Sequence, residues 1–143
     1  MKTILILMVS FFINNSCNEQ KFQNMDNTLL EYEFYSRGSY SKIVLNNKTI
    51  KTFSARNLSK PSTEKKITAA DLKILTNLYS KLKLNTISTL KSPTQKRFYD
   101  GAAIAIFIVK TPKGNYQSTE FDHEDAPGEI KKIVDKINQI AQK

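Results

Sequence analysis

The densest group of reactive side chains is Phe121-Asp-His-Glu-Asp-Ala-Pro127, where Asp122, His123, Glu124 and Asp125 stand in a row. His123 is the sole histidine, so a metal centre or an acid/base pair would have to be built around it. Successive residues of a strand point to opposite faces, which works against four neighbours converging on one ion. The D-x-D-x-D-G spacing of a calcium loop is also absent. A structural role accounts for the same residues: Asp125 before Ala126-Pro127 has the form of a helix N-cap, with Pro in the first turn and acids complementing the helix dipole. No metal and no cofactor is therefore expected.

A second group, Arg97-Phe-Tyr-Asp-Gly101, precedes the most apolar run outside the N-terminal sixteen residues. Asp100-Gly101 has turn chemistry, and Arg97, Phe98 and Tyr99 beside it would make an aromatic and basic ligand patch. Arg97, Tyr99, Asp100, Asp122 and His123 are thus the candidate binding residues. No catalytic residue is assigned. A G-x-S-x-G elbow is absent, and the S-x-x-K matches at Ser62/Lys65, Ser80/Lys83 and Ser88/Lys91 lack the S-D-N and K-T-G elements that would give them meaning. The four glycines are too scattered to form a phosphate loop.

The elements that position these groups follow from hydrophobic spacing. Leu30 to Phe34 alternates with period two, Tyr40 to Leu45 and Lys48 to Phe53 read as further strands, and Asn46-Asn47 reads as a two-residue hairpin turn. Ser54 to Ile67 reads as an exposed loop. Thr68 is placed to cap a helix from about Ala69 to Leu84, on which Leu72, Leu75, Leu78, Tyr79 and Leu82 share a face. Asn85 to Arg97 is a polar return. Ala102 to Val109 then has the composition of a central strand buried on both faces, and Asn115 to Phe121 that of its returning partner. Ile130, Ile133, Val134, Ile137, Ile140 and Ala141 give the last helix its stripe. The expected fold is α+β: an antiparallel sheet of about five strands in the order βββ-α-ββ-α, with two helices packed on one face.

With 143 residues the chain suits one domain, and its single cysteine rules out an internal disulfide. That cysteine, Cys17, sits just after Met1 to Ser16, where Lys2 is followed by a ten-residue run, Ile4 to Ile13, that is apolar apart from Ser10. The run is short of the ~20 residues needed to span a bilayer and fits the apolar region of a secretory signal. With the small residue Ser16 directly before Cys17, the segment resembles the signals of bacterial lipoprotein precursors, in particular the short signals of Bacteroidetes-type bacteria. Asn14 and Asn15 depart from the strict motif, and the likeness covers the N-terminal signal alone.

The resemblance implies cleavage between Ser16 and Cys17, a lipidated Cys17 carrying acyl chains such as palmitate, and residence in the bacterial cell envelope, at the outer membrane. The division expected is signal peptide over 1–16, lipidated cysteine and flexible tether over 17–28, and one α+β domain over 29–143. The whole chain has 22 basic and 13 acidic residues, a net +9; removing residues 1–16 takes away Lys2 and leaves +8. The lysines are dispersed, unlike the concentrated basic faces that hold nucleic acid. The function expected is a non-enzymatic binding or interaction module whose partners are the bilayer, through acylated Cys17, and an envelope protein or acidic glycan. The alternative is a small envelope hydrolase using His123 with Asp100 or Asp122.

Overall fold

A computed structural model describes residues 25–54 and 59–143. The expected signal peptide over 1–16 and the expected lipidation site Cys17 lie outside the described residues. The described chain is an α+β unit with one antiparallel sheet, into which periodicity alone places β1 (Leu29–Ser36), β2 (Ser39–Leu45), β3 (Thr49–Phe53) and β5 (Ile104–Thr111). The sheet has seven strands rather than five. β4 (Thr63–Lys66), β6 (Gly114–Gln117) and β7 (Phe121–Asp122) complete it, in the spatial order β4-β3-β2-β1-β5-β6 with β7 also pairing β5.

β4 lies within the segment expected to be a loop. Its sequence, Thr-Glu-Lys-Lys, has no apolar residue because all four positions are exposed on an edge strand, where charge also discourages pairing with another chain. The single return strand is instead two pieces. Between them Ser118 leaves the ladder, its N–H donating to the Phe107 carbonyl while its hydroxyl accepts from the Phe107 N–H, a bulge-like interruption. β5 is buried on one face only: Ala105, Phe107 and Val109 are fully buried, and Ile104, Ile106 and Ile108 are half-buried on the other face. That outer face carries Glu31 beside Ile108 and Glu33 beside Ile106, linked by Lys42 at 2.8 and 2.9 Å, with Lys110 at 2.7 Å from Glu31. A run that reads as wholly apolar thus shares its outer face with a charge network from β1 and β2.

Helix α1 (Ala69–Ser80) starts where Thr68 caps it, accepting from the Asp71 N–H at 3.1 Å and donating to the Asp71 carboxylate at 2.9 Å. It ends four residues before the expected Leu84, and two 3-10 turns follow, η1 (Leu84–Thr89) and η2 (Lys96–Tyr99). Helix α2 (Gly128–Gln142) buries Ile130, Ile133, Val134, Ile137 and Ile140, as its spacing requires. These residues join Leu75 and Tyr79 of α1 and the inner-face Leu30, Tyr32, Leu45 and Phe107 in one core.

The β2–β3 connection is not a two-residue Asn-Asn turn with positive φ. It is one residue longer, and Asn46 closes it by accepting the N–H groups of Lys48 and Thr49 at 2.8 and 2.7 Å. The folded part also reaches back beyond Leu29: Met25 and Thr28 are buried, joined by a turn in which Asn27 takes φ 58°. The expected tether therefore loses its last four residues to the fold.

Candidate functional site

Two cavities lie at opposite ends of the sheet. Thr28, just before β1, lines one, and Tyr35, near the end of β1, lines the other. Seven residues of strand separate them, about 23 Å at 3.3 Å per residue. The far cleft, about 670 Å³, is bounded by Tyr35, Ser36, Arg37, Arg97, Asp100 and the segment entering β5. Two of the five candidate binding residues, Arg97 and Asp100, therefore share one concavity.

What holds this region in place is Asp122. Its carboxylate accepts from Thr94 Oγ1 at 2.5 Å, from the Lys96 and Arg97 N–H groups at 2.7 and 3.1 Å, and from Arg97 Nη1 at 3.1 Å. Burial alone would raise the Asp122 carboxyl, but these donors outweigh it and hold it near about 2. Arg97 Nη1 also donates to Ser92 Oγ and to the Thr94 carbonyl, and its guanidinium lies 4.4 Å from the centre of the Phe98 ring. The Arg97 and Asp122 side chains are 10% and 1% exposed, so a half-buried guanidinium on a buried carboxylate fastens η2 onto β7.

On this anchored turn, Phe98 and Tyr99 are left in solvent, 65% and 85% exposed. Asp100 ends η2 in the left-handed region, φ 56°, and the Gly101 N–H returns to the Lys96 carbonyl. The turn chemistry of Asp-Gly is thus realised. The Asp100 side chain reaches out to Arg37 at 3.3 Å, across the mouth of the cleft.

His123 lies elsewhere. Its ring stacks on Phe34 with centroids 3.8 Å apart, and its Nδ1 is 2.7 Å from Tyr32 Oη. Tyr32 Oη also donates to the His123 carbonyl at 2.7 Å. One phenol hydrogen cannot serve both, so the neutral ring donates from Nδ1–H to Tyr32 and leaves Nε2 as its acceptor. Burial lowers the His123 pKa, against an opposing pull from Glu124, and so favours the neutral ring. Consecutive residues Asp122 and His123 therefore serve different neighbourhoods, Asp122 with η2 and His123 with Tyr32 and Phe34 of β1. The geometry unites Arg97 with Asp122 and, at the cleft, with Asp100. It does not bring His123 to them.

Asp125 is not the N-cap of α2. Pro127 occupies that position without a side-chain cap, while the Asp125 carboxylate is held by Lys96 Nζ at 3.0 Å and its N–H by the Asp122 carbonyl. A lysine 29 residues away outcompeted the local capping geometry, and local pattern carries no trace of that. Sequence reasoning also missed Thr94 and Ser92 as supports of the turn. Their signal is only that hydroxyls flank Pro93 before a basic and aromatic pair.

No known protein family, curated protein or solved structure matches this chain. Among the described residues, no three His, Cys, Asp or Glu side chains are grouped to hold a metal ion, and no helix is long and apolar enough to cross a membrane.

Proposed function

We propose that the protein is a lipid-anchored lipoprotein of the bacterial envelope that acts as a non-enzymatic binding module, with the Phe98–Tyr99 ledge and the adjoining Arg37/Asp100 cleft as its contact surface. The observation that carries this reading is the pairing of extreme exposure with rigid support: two large aromatic rings stand in solvent on a turn tied down by the Arg97–Asp122 pair. Exposed aromatics on a rigid base lose little entropy on binding, which is the economy of recognition surfaces. The ledge sits at the end of β1 opposite the entry of the N-terminal segment, so a protein tethered through Cys17 would present it away from the bilayer.

An acidic glycan or an acidic face of an envelope protein suits the excess of basic over acidic residues, 22 against 13. The hydrolase alternative needs His123 to meet Asp100 or Asp122. His123 is stacked on Phe34 away from both carboxylates, and the Asp122 carboxylate accepts from four donors, which favours the binding reading.

Binding of an acidic polysaccharide such as polygalacturonate, followed by NMR, tests the reading. Phe98→Ala/Tyr99→Ala should weaken binding at least tenfold with the fold unchanged, and His123→Phe, which keeps the ring stack, should leave it within twofold. A hydrolytic activity abolished by His123→Phe in a folded protein would overturn the binding-module reading in favour of the enzyme.

A further inference from the structure

The cavity at the tether end is unused by the function proposed above. It measures about 830 Å³, its floor is built from Tyr79, Leu82, Leu84 and Tyr116, and Lys83 and Lys113 stand at its walls. Tyr79 and Leu82 are otherwise buried core residues, so the cavity opens directly onto the apolar interior of the α1–sheet layer. Both lysines are exposed, and neither ammonium has an acidic partner among the described residues. Asp26 is the single acid of the lining, so its formal charge is +1.

The position of the cavity decides what it would meet. Asp26 lies nine residues after Cys17, a contour of at most about 32 Å. A chain anchored at Cys17 keeps this cavity within that contour of the lipid surface, and the Phe98–Tyr99 ledge lies about 23 Å from it along β1. Apolar lining side chains, ammonium groups without an acidic partner among the described residues, and a place within the linker's reach of the bilayer match one ligand chemistry, a phosphate ester attached to an apolar tail.

We infer that the Tyr79/Leu84/Tyr116 cavity, with Lys83 and Lys113, is a docking site for the headgroup of an anionic membrane phospholipid, which orients the tethered domain on the bilayer. The inference rests on the anchored reading for its biological setting, but the binding itself is a property of the described domain.

The test uses the mature chain from residue 17 with Cys17→Ser, which retains the whole described domain but cannot be acylated. Partition is measured onto vesicles of phosphatidylcholine with and without phosphatidylglycerol, and chemical-shift changes are recorded with soluble dihexanoyl-phosphatidylglycerol and, separately, with inorganic phosphate. Partition should require phosphatidylglycerol, and the short-chain lipid should shift Lys83, Asn85 and Lys113 together at concentrations where inorganic phosphate does not. Each basic residue near an anionic surface contributes about fivefold in affinity, from about 1 kcal/mol, so Lys83→Glu/Lys113→Glu should lower partition more than tenfold. Lys131→Glu/Lys132→Glu, the same change of charge on exposed positions of α2, should change it less than threefold.

Equal losses in the two double variants would reduce the effect to net charge and overturn the site. Shifts as strong with inorganic phosphate would overturn the lipid as its ligand, and no partition onto either vesicle would overturn both. Failure of the anchor itself would show separately, as native protein without acyl chains.

Discussion

Asp122 receives four donors from Thr94, Lys96 and Arg97, and its carboxylate is 1% exposed, so its charge is spent on fixing the turn rather than on any substrate. Removing one partner of a buried pair strands the other, at a cost of about 3–5 kcal/mol. Asp122→Asn, which keeps the shape and half the acceptors, should cost about 3 kcal/mol on that scale, read as a lower urea midpoint. The titration behaviour follows from the same groups. His123 has a folded pKa below its ordinary 6.5, so its contribution to stability is present above that value and is lost as pH falls below it. Asp122 and Asp71 are each held near about 2 against an ordinary 3.8, Asp71 by Lys136, Thr68 and Lys143; their contribution is present above about pH 4 and lost as pH falls towards 2. Urea unfolding from pH 7 to pH 2 should therefore show two descents, and His123→Phe should remove the upper one alone. A single descent below pH 4 in the unsubstituted protein would contradict this assignment of His123.

Elements were legible in proportion to how far burial repeats along them. α2 was read from its stripe almost residue by residue, and Ile137→Ala should cost about 2–5 kcal/mol, whereas the exposed Lys132→Ala should stay within about 0.5 kcal/mol. The four long strands were visible for the same reason. β4 was not, because an edge strand exposed at every position carries no apolar alternation, and β6 and β7 were fused because the Ser118 interruption has no signature in residue type. The 3-10 turns after α1 have too few residues to show a period. As for the site, Asp122 and His123 were grouped as candidates, and the structure sends them to different neighbourhoods because β7 ends at Asp122 and His123 begins a turn. The long-range partners Lys96 and Thr94, which give Asp125 and Asp122 their roles, had no local expression. Gly38, with φ 77° in the β1–β2 turn, makes a conformational demand at this scale: Gly38→Ala should destabilise by about 1 kcal/mol, measurable in thermal unfolding, although nothing lies within 4 Å of the added methyl.

At the scale of the whole molecule, the antiparallel sheet separates two surfaces. The N-terminal segment and the Lys83/Lys113 cavity lie at one end of β1, and the Arg37/Asp100 cleft with the Phe98–Tyr99 ledge at the other. Substitutions at the two ends should be independent, since sites this far apart add within about 0.5 kcal/mol. Lys83→Glu/Lys113→Glu should weaken polysaccharide binding less than Phe98→Ala/Tyr99→Ala does, and Tyr99→Ala should leave vesicle partition unchanged. This division of labour has meaning only if the chain is anchored at Cys17, where two or three acyl chains, at about 0.8 kcal/mol per buried CH₂, hold a protein durably on a membrane. The most direct measurement is the intact mass of the protein extracted from the membrane fraction of its native cells. The account predicts the mass of Cys17 to Lys143 plus two or three acyl chains. A mass without lipid, whether or not the first sixteen residues are present, would contradict it.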